Sequence, residues 1–271
     1  MPIPHHSADH PLLLAQPWAP FPHPQDYPFT PEQVLAQWPR LHAGDAEPLP
    51  QDPAVLQAWT LFHSGHFAQA EQAGLAAGGA GMTVANKAAI IHANYLEPSE
   101  ATRLARLAHA AERAAQQAHA EPDNANAWFW HAYALGRYSQ GISVSKALAH
   151  GLGLRVRDTL QKVVALSPQH ADARLALGAF HAEVIDKVGA LVGQMTYGAQ
   201  RAQGLRWFEE ALQLNPATVI GKIEYANALL MLEGDARMDE ATRLYEAAAG
   251  TEPIDALEHL AVELAQLELA D

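Results

Sequence analysis

Three segments of this 271-residue chain end alike: 160–168 (LQKVVALSP), 208–216 (FEEALQLNP) and 245–253 (YEAAAGTEP). Each sets a bulky residue, a small or β-branched residue three positions later, and a proline five positions after that. Proline lacks an N–H and crowds the preceding turn, so a helix running into it stops there. Beyond Pro122, Pro168 and Pro216 the chain resumes with DNANAWFWHAYALG, QHADARLALGAFHA and ATVIGKIEYANALL, which read as amphipathic helices. Helices that stop at proline and restart at once predict short helical pairs. Such a pair cannot bury its apolar face alone, so successive pairs must stack.

The remaining helices follow from the same signals. Segment 53–64 carries Val55, Leu56, Trp59 and Phe62 on one side, and Gly65-His66 turns it into a helix over 67–77. Residues 78–81 (GGAG) break the chain. Helices are then predicted over 84–96, 99–119, 126–139, 144–166, 171–192, 198–214, 218–232, 238–249 and 254–269, with Ser99 and Glu100 as start signals after Pro98. No sustained strand alternation is visible, so the expected class is all-α. Proline spacings of 46 residues (122 to 168), 48 (168 to 216) and 37 (216 to 253) leave room for glycine-punctuated insertions at 141–153 (GISVSKALAHGLG) and 186–199 (DKVGALVGQMTYGA).

Thirteen of the eighteen prolines fall in residues 1–53, which predicts a proline-rich extended arm ahead of a helical domain over 54–271. The arm also holds Trp18, Phe21, Tyr27, Phe29 and Trp38, more aromatics than a solvated tail carries. Two readings stay open. Either the arm docks on the chain's own helices, with a short helix from Pro31 to Trp38, or it is a polyproline ligand offered to another protein.

Composition narrows the function. Without cysteine the chain has no disulfide scaffold, no cysteine-ligated zinc and no thiol catalysis. The net charge of −13 argues against nucleic acid and anionic membranes as principal partners. Its distribution is uneven. Residues 224–271 hold twelve acidic groups against Arg237 and Arg243, whereas Arg137, Lys146, Arg155, Arg157 and Lys162 lie around the single acid Asp158. No run of 18 apolar residues suggests a membrane span, and MPIPHHSADH lacks the basic and apolar stretches of a secretory signal. A cytoplasmic location is expected.

The Trp–Gly–Phe–Ala cadence of 59–77 and the proline-terminated phrases resemble tetratricopeptide repeats, whose unadorned unit is about 34 residues. The expected fold is therefore a TPR-like α-solenoid of about five helical pairs. Residues 128–232 are more narrowly similar to bacterial relatives of the regulator-of-microtubule-dynamics family. The matching residues are Trp128-Phe129-Trp130, Gly141, 163–168 (VVALSP), Leu177-Gly178, Tyr197 and 208–216. That resemblance implies a non-catalytic interaction protein without a cofactor. Microtubule binding is not carried over.

In such solenoids the first helix of each pair lines the concave face, on a stripe spaced i, i+3, i+7, i+11. Counted from the boundary prolines, the stripes are Asn126, Phe129, Tyr133 and Arg137; Asp172, Leu175, Ala179 and Glu183; Ile220, Ile223, Asn227 and Met231. Asn126, Phe129, Tyr133, Arg137, Asp172, Glu183 and Asn227 are the candidate contacts for a protein or peptide partner, although Phe129 and Tyr133 can equally pack against the insertions or the arm. An alternative function is a carrier of a small apolar ligand between the inserted segments, lined by Val188, Leu191, Val192, Met195 and Tyr197. The run His5-His6-Ser7-Ala8-Asp9-His10 can bind metal adventitiously but has no rigid support. Acidic groups near His181 (Glu183, Asp186) and at Asp235, Asp239 and Glu240 read as exposed helix charge, with Glu183 and Lys187 as an i,i+4 pair.

Overall fold

The computed structural model describes residues 10–270, and His5, His6 and Asp9 lie outside them. The described chain is helical, without a strand. In order, the helices are α1 (His10–Leu14), α2 (Pro31–Leu41), α3 (Pro53–His63), α4 (Phe67–Ala77), α5 (Gly81–Tyr95), α6 (Glu100–Ala120), α7 (Ala125–Gln140) and α8 (Val144–Ala149). There follow α9 (Leu152–Leu166), α10 (Ala171–Val188), α11 (Ala190–Tyr197), α12 (Arg201–Leu214), α13 (Val219–Glu233), α14 (Met238–Ala249) and α15 (Ala256–Ala270). Contacts divide the chain into two compact units. One comprises residues 10–38, 47–159 and 255–257; the other 39–46, 160–254 and 258–270.

Pro98, Pro122, Pro168, Pro216 and Pro253 follow helix ends as the sequence predicts, whereas α2 runs through Pro39 to Leu41 instead of ending at Trp38. One turn recurs behind three of the boundary prolines. Two residues past Pro122, Pro168 and Pro216 stand Asn124, His170 and Thr218. Each accepts a bond from the third residue onward: Ala127 N at 3.1 Å, Ala173 N at 3.1 Å and Gly221 N at 3.1 Å. Each also donates its own N–H three residues back, to Glu121 O, Ser167 O and Asn215 O. A cap of this kind stabilises a helix by about 1 kcal/mol and fixes where it starts. The bulky and small residues of the repeated phrase are interior: Leu160, Phe208 and Tyr245 are buried, as are Val163, Ala211 and Ala248.

In the first unit α3 packs on α4, α4 on α5, α5 on α6 and α6 on α7; α3 also meets α5, and α5 meets α7. Alanine lets these helices approach closely, and α5 buries Ala85, Ala88, Ala89 and Ala93 beside Ile90 and Ile91. A polar seam crosses the seam between α4, α5 and α6. Arg113 bonds Asn86 at 2.7 Å, Glu71 at 2.8 Å and Ala85 O at 3.0 Å, while Asn86 donates to Gln117 at 3.0 Å. The second unit has the same habit: α10 packs on α12 and α13, α12 on α13, and α13 on α14. Phe208 stacks on Tyr225 at 5.1 Å in its core. Gly178 faces that ring so closely that a Cβ there would lie 2.6 Å from it.

Two predicted long helices are broken. Residues 144–166 form α8 and α9, parted at Gly151 with φ +60°, and 171–192 divides into α10 and α11 at Gly189 with φ +81°. Positive φ strains any side chain, so glycine ends one helix there and lets the next depart in a new direction. Helix α1 was not predicted. Among the described residues no helix is long and apolar enough to cross a membrane.

Candidate functional site

In the first unit the chain between α1 and α2 is irregular, and its aromatics turn inward while its prolines stay exposed. Phe21 is buried and Trp18 half-buried; Pro17, Pro20, Pro22 and Pro24 face solvent. Proline's fixed φ keeps such a segment drawn out, and the three-residue step from Trp18 to Phe21 brings both rings to one side. We call residues 16–21 the strap.

Two buried side chains hold the strap by its main chain. Arg106 on α6 donates from Nη2 to Gln16 O at 2.6 Å, and His92 on α5 contacts Ala19 O through Nε2 at 3.0 Å. A carbonyl only accepts, so Nε2 carries the proton and His92 is the neutral tautomer with Nδ1 unprotonated. Burial, with the neighbouring Arg106 charge, pushes the His92 pKa down to about 4 against the opposing pull of the Ala19 bond. Its Nδ1 has no hydrogen-bond partner among the described residues. Arg106 is also buried, which lowers its pKa, and pairs with Glu97 at 3.2 Å. Between these two grips lies Trp18, 4.3 Å from the His92 ring and 5.0 Å from the Arg106 guanidinium. Phe21 enters a notch at Gly65, where φ is +81° and a Cβ would lie 2.5 Å from Phe21 Cδ1. Phe67 meets the Phe21 ring edge-on at 6.3 Å.

Further along, Phe29 lies edge-on to His63 at 6.2 Å, and Trp38 meets Trp59 at 5.9 Å while donating to Glu47 O at 2.9 Å. His63 bonds Asp255 at 2.7 Å, and the Lys87 ammonium lies 5.1–5.4 Å from the ring centroids of Phe62, Trp59 and Trp130. Ser64, the hydroxyl beside His63, donates to Thr60 O at 2.8 Å.

The seven candidate contacts divide between the units. In the first, Asn126 is buried and donates to Glu47 at 2.6 Å, and Phe129 is buried against Trp130 and Tyr133 at 4.9 and 5.8 Å. Tyr133 and Arg137 are half-buried and paired, guanidinium 5.0 Å from the ring, with Arg137 also bonding Gln140 at 3.2 Å. On α7, then, Asn126 is engaged by the arm and Phe129 by core rings, while Tyr133 and Arg137 are half-buried. In the second unit, Asp172 donates its backbone N–H to Gly44 O at 3.0 Å, Glu183 pairs with Lys187 at 3.7 Å, and Asn227 accepts from the Tyr245 hydroxyl. These three are half-buried and not joined to one another by these bonds.

The residues of the apolar alternative are differently placed. Leu191, Val192 and Met195 are 72%, 50% and 80% exposed, while Gly193 and Tyr197 form the inward side of α11. An apolar ligand there would lie on an open face rather than inside a pocket. His181 is buried and accepts from Gln200 N at 3.1 Å through Nδ1, which fixes the turn into α12. Arg237 holds Glu240.

The strap's receptor, His92, Arg106 and Gly65, escapes sequence reasoning because its contacts span 73 and 90 residues. The one available signal is aromatics spaced three apart among prolines. Compared with protein-family models and with curated proteins, the sequence gives no match to either.

Proposed function

We propose that this chain is a non-enzymatic binding protein: a TPR-like solenoid of about five helical pairs, resembling bacterial relatives of the regulator-of-microtubule-dynamics family, that holds a protein or peptide partner. The repeated Pro–x–cap turn behind Pro122, Pro168 and Pro216 supports the repeat. The observation that carries the binding role is a peptide segment already seated on the helices: residues 16–21, whose carbonyls and rings are held by His92, Arg106 and the Gly65 notch. Helical pairs that recognise a drawn-out segment in cis have the chemistry to recognise one in trans. Tyr133 and Arg137 add a half-exposed aromatic–cation pair on α7, of the residue types that anchor partners.

The test is selection from a displayed random-peptide library against the full chain. Saturable enrichment of particular peptides is expected, with affinity for at least one class reduced about tenfold by Tyr133→Ala/Arg137→Ala or by Arg106→Gln. Recovery no better than from an unrelated helical protein of equal charge would remove the proposal.

A further inference from the structure

We infer that the seat of the strap is a recognition site for a proline-rich peptide of the pattern aromatic–Ala–Pro–aromatic, held in cis by this chain's own Trp18-Ala19-Pro20-Phe21 and open to the same chemistry from a partner protein. This rests on the binding role proposed above and names its ligand.

The receptor is built for main chain as well as for rings. An arm that merely covered apolar surface would need only an apolar bed. Here Arg106 and Glu97 are withdrawn from water beneath the strap, their side chains 4% and 6% exposed. Burying a guanidinium is costly unless its donors are matched, and the pair supplies only part of what Arg106 offers. The Gln16 carbonyl takes another donor at 2.6 Å. His92 repeats the arrangement three residues on, with its Nε2–H directed at Ala19 O. Two donors thus read two carbonyls three residues apart, the interval at which proline-rich segments repeat.

Side-chain readout is separate from that grip. Trp18 lies between an imidazole and a guanidinium, both suited to a large electron-rich ring. The notch for Phe21 exists because residue 65 has no Cβ and a backbone only glycine adopts readily. Pro17 and Pro20 touch solvent and serve by stiffening the ligand, which lowers the entropy lost on binding. Bonds to carbonyls do not depend on which side chains the ligand carries, so an unrelated chain with the same ring spacing meets the same donors.

A tethered strap competes as though present at millimolar concentration, so the wild-type site is closed to weak ligands. The experiment uses a fluorescein-labelled peptide with the sequence of residues 15–24 (AQPWAPFPHP) and fluorescence anisotropy on the full chain. Trp18→Ala/Phe21→Ala vacates the seat and is expected to bind the peptide at least tenfold more tightly than wild type. Adding Arg106→Gln should reverse that gain, and the same peptide with both aromatics replaced by alanine should not compete. Should the double variant lose its helical circular-dichroism signal, Trp18→Ala alone, whose ring is half-exposed, gives the same comparison with a smaller gain. Equal binding to vacated and wild-type chains, or equal binding of a scrambled peptide, overturns the inference. So does a stable complex between vacated and wild-type chains that excludes the peptide, since a second copy's arm would then be the occupant. If the library selection yields peptides without paired aromatics, the binding role stands and this assignment of its ligand fails.

Discussion

His92 joins stability to pH in a way that can be read from one ring. Its folded-state pKa is near 4 against an ordinary 6.5, so between those values the unfolded chain binds more protons than the folded one. The stabilisation is fully present above about pH 6.5 and is lost progressively as pH falls towards 4. We predict that the urea midpoint declines over this window and that His92→Gln, which keeps a donor for Ala19 O, flattens the decline. A slope unchanged in the variant would place the titration elsewhere. Gly178 gives a second prediction at this scale. With Phe208 ring carbons 2.6 Å from its missing Cβ, Gly178→Ala should cost about 1–3 kcal/mol by denaturant titration, despite alanine's better helix propensity. Local chemistry was legible here and partnership was not. Ser99 as a helix start and Glu183 with Lys187 follow from neighbours in sequence. Asn126 was placed on a binding stripe because nothing near it in sequence announces Glu47, 79 residues away, as its partner.

Among elements, Pro98, Pro122, Pro168, Pro216 and Pro253 made helix ends readable because proline removes a donor and crowds the preceding turn. Pro39 is the exception, since it lies inside α2, which runs on to Leu41 past the predicted end at Trp38. Glycine is permissive, so Gly151 and Gly189 did not announce whether the apolar pattern continued through them or turned. The structure turns at both. Gly189→Ala should therefore destabilise the chain by about 1–3 kcal/mol, measured by thermal unfolding, because φ +81° is strained for alanine; a neutral result would mean that α10 and α11 need no break. The outward face of α11 predicts the opposite behaviour. Leu191→Ser and Met195→Ser, at positions 72% and 80% exposed, should shift stability by no more than about 0.5 kcal/mol. A large loss would show that these side chains are covered after all. Helix α1, lodged among prolines with five residues, packs on α6 and is too short to carry a periodic signal.

For the molecule as a whole, the proposal is of a helical protein whose proline-rich arm sits where a partner's peptide would bind. Composition left two readings open: thirteen prolines and five large aromatics within 53 residues suit neither a solvated tail nor an ordinary helix, but do not say whether the arm docks on its own chain or on another. What composition could not supply was the seat, since His92, Arg106 and Gly65 come from α5, α6 and the α3–α4 turn. The central claim is that this seat exchanges occupants. Hydrogen–deuterium exchange of the Trp18→Ala chain, whose own arm is weakened in the seat, with and without excess AQPWAPFPHP, tests it most directly. Faster exchange in residues 10–21 with unchanged or slower exchange in α5 and α6 is predicted, as the arm leaves and the peptide replaces it. An arm whose exchange ignores the peptide at any concentration would contradict the account.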